Sequence, residues 1–311
     1  MSQALCVTDL GVSYGDHAAL RGLTLQVESG ELIGIIGPNG AGKTSFIKAL
    51  CGRVKHDGNI IISEKALKRG HKRSDLLGLV PQDIGLYDHM SGRENLQIFA
   101  KIMGVKSKQR KAAIEVALAA VDMSDKADVA VRDLSGGMKR RINVAAAIMH
   151  DPKVIIFDEP TAGVDVPARD TVHRLARKLA GSGMAVLLVT HELEQAEALC
   201  DKVLVLCNGE MLAYDAPASL LSRSFLGMRE VMVRYAAQPD AATLAAMSPF
   251  EFMQAEHPTI WTAMTQASEV SFVSAFMTAL RNGNQLVREI SVRRPGLISL
   301  MHRIEKTGQL K

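Results

Sequence analysis

Apolar residues fall into two rhythms along the first two-thirds of this chain. Short runs at Glu31–Ile36, Val154–Phe157 and Ala185–Val189 are β-branched and nearly continuous, which predicts strands covered on both faces. Between them lie segments of helical character. Lys43–Cys51 predicts a helix that follows a glycine turn, and Pro167–Ala180 predicts another. Asp165 can cap the second helix, and Pro167 suits its first turn. This alternation predicts an α/β fold with a partly parallel sheet. Residues from about 90 to 149 are almost wholly helical in pattern. Ser91 can cap a helix through Met103, with Glu94 three residues on completing a capping box, and Lys108–Val121 predicts a further helix. This stretch reads as a helical subdomain inserted between strands of the core.

The pattern changes near Arg223. Glu230–Tyr235, Thr259–Thr265 and Gln285–Val292 alternate as strands. Ser268–Asn282 predicts an amphipathic helix with Val270, Val273, Met277 and Leu280 on one stripe, closed by Gly283. Pro295–Glu305 predicts a last helix. The expected organisation is therefore an α/β domain over 1–222 and a small α+β domain over 223–311.

Composition narrows the function. The 311 residues are 47% hydrophobic and 23% charged, enough for an ordinary buried core, and the net charge of +4 is too mild to point to nucleic acid. The basic run Lys68–Lys72 reads as a solvated loop. Cys6, Cys51, Cys200 and Cys207 have no close partner in sequence, so neither a zinc site nor a disulfide framework is expected, and a reducing compartment suits them. The N-terminus lacks the look of a signal peptide. No apolar stretch approaches the roughly 20 residues that span a bilayer.

Three segments carry chemistry. Gly37-Pro-Asn39-Gly40-Ala41-Gly42-Lys43-Thr44 fits G-x-x-x-x-G-K-[ST] and stands between a predicted strand and a predicted helix, the context the pattern requires. Its glycines let main-chain N–H groups curl toward phosphate oxygens, and the helix start adds positive potential. Lys43 can neutralise the β- and γ-phosphates; the Thr44 hydroxyl suits a magnesium ion, and Ser45 adds a donor. Val154-Ile-Ile-Phe-Asp158-Glu159-Pro160 ends a buried strand in two acids, a costly arrangement without a task. Asp158 can hold the metal through its water shell, and Glu159 can orient or deprotonate an attacking water. Leu134-Ser135-Gly136-Gly137-Met138 opens a helix and makes a second phosphate-recognising start. One nucleotide does not need two such cradles in one chain, so the second suits a nucleotide held by a partner.

In the order Gly37–Thr44, Gln82, Leu134–Met138, Asp158–Glu159 and His191, the chain resembles the ATP-binding-cassette (ABC) ATPases over about residues 3–217. The resemblance implies a P-loop NTPase core with a helical subdomain, a Mg²⁺-dependent ATPase, and a pair of subunits, alike or related, that sandwich two ATP molecules head to tail. Ser135, Gly136 and Gly137 of one would touch the γ-phosphate of the ATP on the other's Lys43. Gln82 would contact Mg²⁺ and the attacking water, His191 would be the switch residue, Asp165 would lie at the seam and Tyr14, 23 residues before Gly37, would stack on adenine. Met138 stands where the commonest family form has glutamine. Ser-Gly-Gly-Met-Lys-Arg-Arg resembles the exporter branch called ABC-2, and Pro295–Met301 partly resembles a closing stretch of that branch's small C-terminal domain. The implied protein is a peripheral exporter subunit on the cytoplasmic face of the membrane, driving a separate transmembrane permease. An importer ATPase, or a soluble non-transport cassette acting on DNA or ribosomes, is the alternative.

Overall fold

The structure is a computed structural model that describes residues 2–63, 73–161, 166–255, 257–266, 268–280 and 286–310. The basic run 68–72, Asp165 and Gly283 lie outside these residues. Two compact units emerge, one taking the chain to Pro217 together with Ile304–Leu310, the other Ala218–Arg303.

In the first unit, β1 (Gln3–Tyr14), β2 (His17–Glu28) and β4 (Asp57–Ile62) form an antiparallel sheet in the order β2-β1-β4. Its central strand buries Leu5, Val7, Leu10 and Val12. That spacing breaks between Val7 and Leu10, where the register shifts and Asp9 takes a positive φ of 51°. The bulge interrupts the two-residue period, so the strand has no clean alternation in sequence.

The second sheet has the order β5-β6-β7-β3-β8-β9. Its strands are β3 (Leu32–Ile36), β5 (Leu77–Val80), β6 (Val154–Asp158), β7 (Ala185–Val189), β8 (Lys202–Cys207) and β9 (Glu210–Asp215). All neighbours pair parallel except β8 with β9. β3 and β7 are buried at every position, as their continuous apolar runs demand. Helix α1 (Lys43–Leu50) follows β3, and Cys51 caps its end. The helical subdomain is the connection from β5 to its parallel neighbour β6: α2 (Gly92–Ile102), α3 (Ser107–Ala120) and α4 (Gly136–Ile148). Ser91 and Glu94 form the expected capping box on α2. Helix α5 (Val166–Gly181) leads into β7, and α6 (Leu193–Leu199) leaves it.

The second unit begins within α7 (Pro217–Phe225) and contains α8 (Ala241–Met247) and α9 (Glu269–Ala279). Its sheet is antiparallel in the order β11-β12-β10-β13, with β10 (Arg229–Tyr235), β11 (Met253–Gln254), β12 (Ile260–Thr265) and β13 (Val287–Arg293). The last helix, α10, runs Leu297–Thr307. The face of α9 differs from the sequence expectation. Val270 is 80% exposed and Met277 44%, whereas Phe276 is fully buried and packs with Phe250 and Phe252. Phe272, Val273 and Leu280 pack beside it. Aromatic area outweighs valine here, and turning the helix to bury two phenylalanines exposes Val270.

Phe276→Ala should therefore lower stability by about 3–5 kcal/mol, and Val270→Ala should change it by less than about 0.5 kcal/mol. Denaturant unfolding followed by the fluorescence of Trp261, the one tryptophan, reports this unit directly. Equal effects at the two positions would contradict the placement of the helix.

Candidate functional site

The carboxyl ends of adjacent parallel strands gather the predicted residues. Gln82 follows β5, Asp158 and Glu159 end β6, Thr190 and His191 follow β7, and the Gly37–Thr44 loop follows β3. In open α/β sheets, ligands bind at this edge. Tyr14 ends β1 and is 45% exposed, leaving a ring face open. A 360 Å³ cleft is lined by His17, Ala19 and Arg21, from the start of β2, with Gly40 and with Asn208 and Gly209 from the β8–β9 turn.

The loop keeps its shape through two close approaches. Gly37, Gly40 and Gly42 have φ of 155°, 79° and 105°. A Cβ at Gly37 would stand 2.2 Å from the Leu206 carbonyl oxygen, and one at Gly42 would stand 2.6 Å from that of Ala19. Gly40 has open space around it. Gly209 N–H donates to the Ala41 carbonyl, and Arg21 N–H to that of Gly209, so the β8–β9 turn braces the loop from beneath.

Lys43 is buried, and its Nζ donates to the carbonyls of Gly37 (2.7 Å) and Pro38 (3.0 Å). Burial pulls its pKa below the usual lysine range, while Glu159 and Asp158 hold it up. Burial pushes the Asp158 carboxyl up; adjacent Glu159 adds to this, and Lys43 opposes it. Glu159 sits at a φ of 46°, an uncommon conformation for a non-glycine residue, and its N–H donates to the Val189 carbonyl across to β7. Its Oε1 lies 2.7 Å from His191 Nε2. Asn39, Thr44 and Gln82 are exposed and Ser45 half-buried, so their polar groups can reach a ligand. The Ser135 hydroxyl accepts from Met138 N–H at 3.3 Å and caps α4, leaving the first amides of Gly136 and Gly137 at the helix start. No hydrogen bond or ion pair among the described residues joins Ser135–Gly137 to the Gly37–Ser45 loop.

Two groups escaped the sequence reading because their partners are distant in the chain. Glu192, next to His191, pairs with Arg169 Nε (2.8 Å) and approaches Nε2 of the buried His173 ring (3.4 Å), both of α5, without hydrogen-bond geometry. Arg140 of α4 donates to the main chain at Pro81 and Gln82.

The comparisons agree with this geometry. Residues 20–162 match the family model described as ABC transporter. The linearmycin resistance ATP-binding protein LnrL of Bacillus subtilis is 37% identical over 213 residues, 68% of each chain. The Nod factor export ATP-binding protein I of Burkholderia lata is 38% identical over 233 residues, covering 74% of this chain and 75% of that one. Among solved structures, the ATP-binding subunit of an ABC transporter is 27% identical with a TM-score of 0.61, over 71% of this chain and 93% of its own. The cbiO1 protein of Clostridium perfringens, part of the ABC transporter complex cbiONQ, is 26% identical with a TM-score of 0.63, over 71% and 92%.

Gly37→Ala forces a methyl into a main-chain oxygen and should cost several kcal/mol, whereas Gly40→Ala should cost only about 1–2 kcal/mol of backbone strain. Thermal and denaturant unfolding of the two variants checks the order; a loop that tolerates Gly37→Ala as well as Gly40→Ala would contradict the brace.

Proposed function

The chain belongs to the ATP-binding-cassette transporter family, and we propose that it works as one of a pair of cytoplasmic ATPase subunits, each completing the other's ATP site to power export through a membrane permease. Among the described residues no helix is long and apolar enough to cross a membrane, so the path for cargo belongs to that transmembrane partner. Export is favoured by the relatives, one named for resistance to linearmycin and one for Nod factor export. The observation that carries the reading is the meeting of Lys43, Asp158, Glu159 and His191 at one sheet edge, beside the glycine-rich loop Gly37–Thr44.

The triphosphate exchanges places with the Gly37 and Pro38 carbonyls as the partner of Lys43, and the amides of Asn39, Gly40 and Gly42–Ser45 take the remaining phosphate oxygens. Tyr14 stacks on adenine. Thr44, Asp158 and Gln82 offer a hydroxyl, a carboxylate and an amide. This all-oxygen set suits a hard cation that keeps several waters, so these residues would hold Mg²⁺, which offsets charge between the phosphates. Glu159 accepts a proton from the attacking water, and His191, 2.7 Å from its carboxylate, holds the base and faces the γ-phosphate. Gln82 orients the same water. Ser135, Gly136 and Gly137 serve the ATP on the partner's loop, which explains why a second phosphate-type helix start makes no bond to the first. Asp165 lies outside the described residues and keeps its sequence-based place at the seam. Pairing closes on ATP and reopens on hydrolysis, and that motion drives the permease from the cytoplasmic face of the membrane.

Glu159→Gln should keep ATP affinity, lower turnover by about 10²–10⁴-fold and trap a dimer on ATP. Steady-state hydrolysis together with size-exclusion light scattering reads both effects. Undiminished hydrolysis would remove Glu159 as the base.

A further inference from the structure

Arg140 lies one turn into α4, the helix that Ser135 caps. It is only 2% exposed, yet its fork spans two successive carbonyls of a distant segment. Nη1 donates to Pro81 O at 2.7 Å and Nη2 to Gln82 O at 2.7 Å, across 59 and 58 residues of chain. A guanidinium is a costly way to fill buried space, and an aliphatic side chain would fill it without desolvating a charge. Its worth must lie in the bonds, which match the planar fork better than they would match a lysine ammonium.

We infer that Arg140 is a positioning residue that locks the Gln82 main chain to the helix carrying Ser135–Gly137, so that gripping a partner's nucleotide and placing Gln82 in its own site become one event. The inference rests on the ATPase reading above. The same segment is tied to the helical subdomain at further points, one of them Arg132 N–H donating to the Asp88 carbonyl at 2.9 Å. Lys139 Nζ, adjacent in α4, stands 3.7 Å from Asp88. Fully buried Asn95 of α2 accepts from Tyr87 N–H at 2.8 Å and donates to the Tyr87 and Ser91 carbonyls. Residues 81–88 are thus held from α4 and α2, while the Gln82 side chain stays exposed and free to act. Among the described residues Arg140 makes no bond to the Gly37–Ser45 loop, so metal-free nucleotide binding in that cradle is independent of it, whereas turnover, which needs Gln82 in place, is not.

The test compares Arg140→Met and Arg140→Lys in the full chain. Arg140→Met should lower kcat at least tenfold with the affinity for a fluorescent ATP analogue, measured without Mg²⁺, within threefold. Amide exchange should accelerate at residues 82–86 and stay unchanged in α4. Arg140→Lys, which reaches one carbonyl at a time, should lower kcat at least threefold at native thermal stability. Turnover within twofold of the parent in either folded variant overturns the inference. So does a parallel loss of turnover, affinity and protection throughout the helical subdomain, which would mark a packing role. The parent protein separates the two readings: if it hydrolyses no Mg-ATP, the ATPase reading fails irrespective of Arg140, and if it does hydrolyse it, an unchanged turnover in the Arg140 variants counts against the inference alone.

Discussion

The site depends on where one buried ammonium is held. Lys43 is the cation set against Asp158 and Glu159, neighbouring acids at the end of an apolar strand. Burial raises the cost of ionising Asp158, and the adjacent Glu159 adds to it. Lys43, held by the Gly37 and Pro38 carbonyls, offsets part of that charge at the edge of the sheet. Such a site favours an incoming polyanion, because phosphate oxygens are better partners for an ammonium than neutral carbonyls. The positive φ angles of the loop and the brace from the β8–β9 turn serve to keep Lys43 at that point.

The parts of this arrangement that follow from local chemistry were legible in the sequence. The strands β3, β6 and β7 are buried on both faces, so they read as unbroken apolar runs, and the loop and acids at their ends stand out against them. The capping box of α2 is a four-residue signal. The antiparallel sheet was not legible, because the bulge at Asp9 breaks the period of β1. The buried face of α9 was misread because hydrophobic spacing treats valine and phenylalanine alike, whereas burial favours the larger area of Phe272 and Phe276. Arg140 and Glu192 were missed for a different reason. Each acts on a group brought near only by the fold, and a main-chain carbonyl leaves no mark in a sequence.

The helical subdomain gains a mechanical meaning from these contacts. It is the connection between two neighbouring parallel strands, so both of its ends are anchored at the sheet, close to Gln82 on one side and to the strand bearing Asp158 on the other. Its helix α4 begins with a phosphate-type cradle that, among the described residues, makes no bond to the Gly37–Ser45 loop, and continues into the buried arginine that holds the Gln82 carbonyl. Under the proposed pairing, a cassette built this way holds half of two sites, with its own loop and acids at one and its signature amides at the other.

That claim is tested most directly by cross-linking two differently tagged copies in the Glu159→Gln background, one carrying Asn39→Cys and the other Ser135→Cys. The account predicts an ATP-dependent disulfide between the two tags, formed across copies and absent without nucleotide. A pair that binds ATP yet forms no such link would contradict the shared site.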